Sequence, residues 1–337
     1  MARRFLTLAA AALAAWVAAV PAFAQTQVRV GVIPVLGVAP IFVVDKEGWA
    51  KAAGFDFKFT TFESGPAMIQ ALASGTLDVY VAGVAPLGVA RSKGIDIRVV
   101  TSTAIEEMTV AAGPKLAPSF KADVAPAQAL KDFRAATGKA ARIATQPPGS
   151  VPHTTLVHWL TQVIKADKAD YEIVPMGIDA TQQALLTGAV DGATIREPTD
   201  TIVQQRDPRI KLVALGGEMF PNQPGTVVAF SGAFLTKNQA GVQKLVDALV
   251  KADALIKADP KRVAPFVEAA LGKGLIDAAT IEKALTSPAS KFSADPRVIM
   301  DATAKMQSYQ VSIGTLDKDV PLDGLFDTSF YEKATGK

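Results

Sequence analysis

Hydrophobic positions in this chain alternate between short runs rich in β-branched residues and longer stretches with helical spacing. The short runs predict strands, and the longer stretches predict helices with one apolar face. Val28–Ile33 and Ile41–Ala53 form the first such pair, and the alternation continues to about residue 235. Strands that alternate with helices predict an α/β fold in which each mostly parallel sheet is flanked by helices on both faces.

The first half of the chain contains segments that recur in the same order further along. Segments 28–31, 70–78 and 97–100 align without gaps with segments 141–144, 183–191 and 210–213, each displaced by 113 residues. Segment 57–59 also aligns with 171–173 after a slip of one residue. Gly75 and Gly188 each follow a predicted helix, where a left-handed residue is common. The repeat therefore predicts two lobes of similar build.

A helical tail without a copy in the first half follows from about Thr236. Its apolar residues keep the 3.6-residue period of a helix. The predicted helices are Asn238–Ala258, Arg262–Leu271, Ala278–Leu285 and Pro296–Val311. We expect this tail to pack against one of the lobes.

The first 24 residues have the organisation of a secretory signal peptide. Arg3 and Arg4 precede the apolar run Phe5–Val20, and Ala22-Phe23-Ala24 forms a small-x-small cleavage site. A membrane anchor is the alternative, but the run falls short of the about 20 residues that span a bilayer. We therefore expect residues 1–24 to be removed, leaving a periplasmic protein that is not embedded in a membrane.

Composition and charge exclude several classes of function. The 337 residues include 35 Lys and Arg, 32 Asp and Glu, two His and no Cys, with a net charge of +3. Without cysteine there is no disulfide, thiolate nucleophile, zinc–thiolate site or iron–sulfur cluster, and His153 and His158 are too far apart on a helix to share a metal. The small net charge disfavours nucleic-acid binding, and no Gly-x-Gly-x-x-Gly or Walker loop appears. We expect neither metal nor cofactor.

Two serine–proline segments stand where predicted strands lead into helices. They are Ser64-Gly65-Pro66 and Ser150-Val151-Pro152. One interpretation is ordinary helix capping, because serine is a favoured N-cap and proline is tolerated in the first turn. The other is an anion cradle, because free N–H groups and the helix dipole attract negative charge. Both loops should lie on the rim of a cleft between the lobes.

Other loops after predicted strands add apolar and charged candidates. Val35, Leu36 and Gly37 follow the first strand, Gly83-Val84 follows the third, and Arg196-Glu197 is the counterpart of Gly83-Val84 in the second lobe. Arg196 either forks onto a carboxylate or sulfonate or pairs with Glu197, Asp200 or Glu218 at the surface.

His153 lies just after the second serine–proline cap, where it is placed to donate to a bound anion. A hydrolytic pair of Ser150 and His153 is an alternative, although no Gly-x-Ser-x-Gly elbow supports it. His158 is better explained as a packed or solvated residue.

Several stretches together resemble the periplasmic solute-binding proteins of ABC importers, in the sulfonate, taurine and nitrate branch that also includes thiamine-pyrimidine-precursor binders. The similar stretches lie between residues 28 and 235, and they are 45–54, 62–65, 71–78, 146–150 with His153, and 184–191 with Glu197-Pro198. Arg196 departs from the resemblance, because the sulfonate binders often have an aromatic residue there. This departure disfavours a taurine-like ligand.

The resemblance implies a two-lobed periplasmic binding protein fold of type II, with two hinge crossovers near Thr109–Pro114 and Val227–Ala233. Lobe one would comprise residues 25–110 and 232–337, and lobe two residues 111–231. The protein would be a monomer that captures a small organic anion and delivers it to an ABC permease and its ATPase. The implied and reasoned contacts together are Val35, Leu36, Gly37, Ser64, Gly65, Gly83, Val84, Gln146, Gly149, Ser150, His153, Arg196 and Glu197.

Two other classes of function remain open at the level of sequence. One is a cysteine-independent enzyme on the same scaffold, since the resembling enzymes rely on cysteine that this chain lacks. The other is a ligand-sensing periplasmic subunit. Within the binding function, a sulfonate, a carboxylate, a nitrate-like anion and a neutral pyrimidine all remain candidate ligands.

Overall fold

Strands and helices alternate along the chain in the order that the hydrophobic pattern predicts. The structure is a computed structural model that describes residues 25–271 and 276–337, so the predicted signal peptide lies outside the described residues. The strands are β1 (Thr26–Val32), β2 (Phe55–Thr61), β3 (Val79–Gly83), β4 (Ile97–Ser102), β5 (Ala104–Ile105), β6 (Thr109–Ala112), β7 (Ala141–Thr145), β8 (Tyr171–Pro175), β9 (Gly192–Ile195), β10 (Lys211–Leu215), β11 (Thr226–Ser231) and β12 (Lys291–Phe292).

The helices occupy the intervening segments and the tail. They are α1 (Ala39–Lys46), α2 (Trp49–Ala52), α3 (Gly65–Ala73), α4 (Ala85–Ser92), α5 (Pro126–Thr137), α6 (Val151–His158), α7 (Ile178–Thr187), α8 (Thr199–Arg206), α9 (Gly216–Met219), α10 (Gly232–Lys237), α11 (Gln239–Ala258), α12 (Pro260–Leu271), α13 (Ala278–Leu285), α14 (Met300–Ser312) and α15 (Ser329–Thr335). Among the described residues, no helix combines the length and the apolar character that crossing a bilayer requires.

Two five-stranded sheets with the same strand order form the centres of the two lobes. The sheet of lobe one has the order β2-β1-β3-β11-β4, and that of lobe two has the order β8-β7-β9-β6-β10. In each sheet the strand that arrives from the other lobe, β11 or β6, runs antiparallel to its neighbours. The two-lobed α/β fold is therefore confirmed, with sheets that are mixed.

The two copies of the repeat make equivalent interactions. The N–H of Arg29 donates to Oδ2 of Asp78 at 2.9 Å, and the N–H of Arg142 donates to Oδ2 of Asp191 at the same distance of 2.9 Å. Gly75 and Gly188 both have a φ of 68° just past a helix, as predicted. In this left-handed conformation glycine avoids the steric cost that a Cβ would bring.

The crossovers lie several residues away from their predicted positions. The chain leaves lobe one at residues 106–108, between β5 and β6, and returns at residues 220–225, between α9 and β11. The prediction of crossovers at 109–114 and 227–233 is wrong, because those segments include β6 and β11, which are hydrogen-bonded inside the sheets. A buried strand and an extended crossover have the same apolar, β-branched composition, so the pattern does not distinguish them.

Most of the tail completes lobe one, but α14 reaches both lobes. Buried residues of α11, α12 and α13 share one hydrophobic core with the strands of lobe one. Helix α14 contacts α4 of lobe one and α6 of lobe two, and its Ala302 and Met306 belong to the core of lobe two. The division at residues 231 and 232 predicts that the whole tail belongs to lobe one. That prediction is wrong for α14, which packs against both lobes.

Candidate functional site

Loops at the carboxyl ends of the strands in both sheets meet in one region, which we call the cleft. The N–H of Leu36 in lobe one donates to the carbonyl of Glu197 in lobe two at 2.7 Å. Gly83 lies so close to Val151 that an added Cβ would be 2.8 Å from Cγ2 of that valine. The two lobes thus touch in the described conformation.

Twelve of the thirteen residues predicted to contact a ligand are buried, and His153 is half-buried. As ligand contacts they remain predictions, but the structure shows which of them lie together. Leu36 contacts Glu197, Gly37 lies against Glu107, and Gln146 bonds Arg196. Gly149 faces elsewhere, since its carbonyl accepts from Nε2 of Gln310 in the tail at 3.4 Å.

Arg196 and Glu107 form a buried ion pair between lobe two and the first crossover. Nη1 of Arg196 is 2.8 Å from Oε1 of Glu107, and the side chains are only 4% and 5% exposed. Nη2 of Arg196 donates to Oε1 of Gln146 at 3.2 Å. The sequence offered Glu197, Asp200 and Glu218 as protein partners at the surface, and that prediction is wrong, because the partner is Glu107 and the pair is buried.

Glu107 is held by both lobes. Its Oε1 also accepts from Oγ1 of Thr226 in β11 at 2.7 Å. Its Oε2 lacks a hydrogen-bond partner and faces Gly37, in the lining of a cavity of about 10 Å³. That volume suits a single water molecule. The carboxylate therefore connects the first crossover to β11 of lobe one and to Arg196 of lobe two.

The two predicted serine caps are present. Oγ of Ser64 accepts from the N–H of Ala67 at 3.4 Å, and Oγ of Ser150 accepts from the N–H of His153 at 3.3 Å. Ser150 thus meets the main chain of His153 and not its ring, whose Nδ1 has no partner. Burial lowers the pKa of His153, which favours the neutral ring. The nucleophile–base contact of a hydrolytic pair does not occur in this arrangement.

Two acidic groups behind the cleft are buried close together. Both oxygens of the Glu197 carboxylate accept from Thr201, at 3.0 Å each, and Asp200 accepts from Oγ1 of Thr109 at 2.7 Å. Burial raises the pKa of Glu197. Burial, together with the neighbouring Glu197, holds the pKa of Asp200 well above its usual value. The protonated form of Asp200 is therefore favoured in the folded protein.

Asp200→Asn should raise stability increasingly as the pH rises. With a raised pKa, folded Asp200 binds more protons than the unfolded chain, so its contribution to stability is lost above the ordinary aspartate pKa of about 3.9. The asparagine cannot ionise, so the variant keeps this stability. The gain in the free energy of unfolding is about 1.4 kcal/mol for each unit by which the folded pKa of Asp200 exceeds the unfolded one. Chemical denaturation of variant and wild type from about pH 5 to about pH 8 measures this gain. The exposed Asp123→Asn is the matched control, and a constant difference across this range would contradict the prediction.

Glu63 of lobe one caps a helix of lobe two. Its carbonyl accepts from the N–H of Ile178 at 3.3 Å, and its Oε2 accepts from the N–H of Asp179 at 3.2 Å. In the repeat, Gly177 occupies the N-cap position that Ser64 holds in lobe one. Because Gly177 has no side chain to cap α7, the capping oxygen comes from the opposite lobe. This contact requires the lobes to be closed.

Glu63→Ala should expose the start of α7. The variant removes the carboxylate that covers the first turn, an interaction worth about 0.3–1 kcal/mol at an exposed helix end. Where the lobes are closed, hydrogen–deuterium exchange in a peptide covering residues 176–182 should become about 2- to 5-fold faster. Glu172→Ala, an exposed carboxylate within lobe two, is the control. Equal exchange in both variants would show that Glu63 does not hold this helix end.

Sequence reasoning missed Glu107, Thr226 and Tyr80. The hydroxyl of Tyr80 donates to the carbonyl of Gly83 at 2.7 Å, and burial raises its pKa. Tyr80 and Glu107 are polar residues in apolar surroundings, which is a usable signal because buried polar groups need partners. Within the described residues, no group of three or more His, Cys, Asp or Glu side chains is arranged to hold a metal ion.

Two similar lobes that close on a buried polar site define the periplasmic binding protein class of folds. The profile of the NMT1-like family matches residues 22–270. This match covers more than half of the sequence, and the chain belongs to the NMT1-like family.

Curated relatives are similar over part of their length. A protein named as an ABC transporter periplasmic binding protein from Brachyspira hyodysenteriae is 25% identical over 227 residues, which cover 62% of this chain and 64% of that protein. The nitrate import ATP-binding protein of Synechococcus elongatus is 25% identical over 252 residues, covering 74% of this chain and 38% of that protein. The chain thus spans less than two thirds of either relative.

Solved structures share the fold at low identity. An alkanesulfonate-binding protein from Xanthomonas axonopodis pv. citri, bound to MOPS, has a TM-score of 0.72 and 20% identity, with coverage of 90% of this chain and 99% of that chain. The periplasmic nitrate-binding protein from Synechocystis PCC 6803 has a TM-score of 0.73 and 12% identity, with coverage of 93% and 89%. At such identities the likeness establishes the fold alone.

Proposed function

We propose that this protein captures a small solute between its lobes and delivers it to the permease and ATPase of an ABC importer. The observation that carries the proposal is the meeting of strand-end loops from both lobes around the buried pair of Arg196 and Glu107. Sites of this kind, with a few polar groups among apolar walls, are typical of small-molecule binding. The relative from Brachyspira hyodysenteriae supports the transport role.

Binding would act through hinge closure of the two lobes. Glu106 in the first crossover and Asn222 in the second both have left-handed backbones, with φ of 47° and 52°. The N–H of Asn222 donates to Oε1 of Glu106 at 3.0 Å. The crossovers are thus linked where a rotation between the lobes would be absorbed.

Small-angle X-ray scattering tests this function directly. The full mature chain is mixed with a small-molecule extract of cells, and its radius of gyration is measured before and after. A decrease that dialysis reverses supports capture by closure. If no extract fraction changes the radius or the thermal midpoint, the proposal fails.

Secretion to the periplasm is part of the same proposal. Removal of residues 1–24 would give a chain that begins at Gln25. The intact mass of the protein from a periplasmic fraction measures this cleavage. A full-length mass, or recovery only from the cytoplasm, would contradict it.

A further inference from the structure

The one arginine predicted to attract an anion is already neutralised in the cleft. Arg196 lies 2.8 Å from Glu107, and both side chains are almost completely buried. The two opposite charges sum to zero, so the pair contributes a dipole and no net charge to the region around it. The binding region therefore gains no net positive charge from Arg196.

Helix ends facing the cleft are also depleted of the N–H groups that would bind an anion. Helices α1, α3, α4 and α6 all have proline in the first turn, which has no N–H. The N–H groups of Ala67 and His153, which follow two of these prolines, already donate to Ser64 and Ser150. An anion would find fewer donors here than a typical helix N-terminus offers.

The two lysines near the cleft are each matched by a carboxylate, since Lys291, in the lining of the small cavity beside Glu107, pairs with Glu106, and Lys283 acts on Glu197. Glu197 and Asp200 are acidic and buried, and burial lowers the pKa of His153. Transferring an anion from water into such a site costs free energy that nothing in this set of groups repays.

Several buried atoms around the cleft lack hydrogen-bond partners, and they include both donors and acceptors. Nε of Arg196 is a donor, Oε2 of Glu107 is an acceptor, and Nδ1 of His153 takes either role with its tautomer. Buried polar atoms are normally satisfied by protein, water or ligand.

We propose that the solute captured in this cleft carries no net charge and presents both a hydrogen-bond donor and an acceptor. This inference rests on the proposed function and names the class of solute. It differs from the small anion that the sequence led us to expect, because the partner of Arg196 is a buried carboxylate.

The experiment converts the neutral pair into a single positive charge. Isothermal titration calorimetry compares methanesulfonate with methanesulfonamide, and acetate with acetamide, for the wild type and for Glu107→Gln. Nitrate serves as a further anionic probe. In Glu107→Gln, Arg196 loses its counter-charge, so anion affinity should rise at least about tenfold. The double variant Arg196→Gln with Glu107→Gln restores neutrality and should show no such gain.

If Glu107→Gln is too unstable for calorimetry, its thermal midpoint in rising nitrate gives the same information, because a ligand that binds only the folded state stabilises it. The wild type and the double variant are also the controls for this thermal measurement.

A gain in anion affinity that occurs only in the single variant Glu107→Gln supports the inference. It is overturned if the wild type prefers the anion of either pair, if Glu107→Gln gains nothing, or if the double variant gains as much. Failure of the extract experiment would instead remove the transport role, while these titrations still decide the charge of the site.

Discussion

Replacing Arg196 by methionine should lower the free energy of unfolding by about 3–5 kcal/mol, because it leaves Glu107 buried without its counter-charge. Both side chains of this pair are buried, so bulk water does not screen the charge that remains on Glu107. Gln146 also loses the donor that its Oε1 accepts from. Chemical denaturation of the mature protein at neutral pH measures the change.

The double variant Arg196→Met with Glu107→Leu separates a charge effect from a packing effect. Replacing both ionic partners by apolar groups is often nearly neutral, so most of the lost stability should return. If the double variant is as unstable as the sum of the single variants, the pair does not act as a unit, and the loss in Arg196→Met comes from packing.

Gly83→Ala should hold the lobes apart. The added methyl group would lie 2.8 Å from Cγ2 and 3.2 Å from Cβ of Val151 across the cleft, distances that require one lobe to move. Overpacking of this kind costs about 1–3 kcal/mol, which corresponds to about a 5- to 150-fold weaker affinity for a ligand that binds the closed form. In the extract that closes the wild type, small-angle scattering should show a larger radius of gyration for this variant than for the wild type.

Val151→Ala is a second substitution that should compensate for Gly83→Ala. It removes Cγ2, the atom nearest to the new methyl group, and keeps the 3.2 Å approach to Cβ, so the double variant Gly83→Ala with Val151→Ala should recover most of the closure. Lobe one alone should tolerate alanine at position 83, because the clash comes from the opposite lobe. A radius that stays enlarged in the double variant would show that the alanine acts within lobe one.

The lobes were predictable from sequence because their signals are local. A few consecutive residues are enough to indicate each strand, each helix and the glycines after α3 and α7. The repeat then aligns those segments across the two lobes. The serine caps at Ser64 and Ser150 were predictable for the same reason, because a cap needs only the next few residues. The positions of the crossovers were not predictable, because the strands β6 and β11 have the same composition as extended linkers.

The electrostatics of the site depend on contacts between distant residues. Arg196 and Glu107 are 89 positions apart, and nothing near Glu107 in the sequence indicates that its carboxylate faces the second lobe. The cap that Glu63 supplies to α7 spans 116 positions. Sequence therefore indicated which loops meet, whereas the fold determines which charges cancel there.

The position of β11 has a consequence for the order in which the chain becomes folded. Lobe two is continuous from β6 to α9, but the sheet of lobe one needs β11 between β3 and β4. Until residue 231 is available, β3 and β4 each present an unpaired edge that can bind other strands. The N-terminal lobe is thus the last to complete its sheet, and an emerging chain must be protected from aggregation until lobe two has been made.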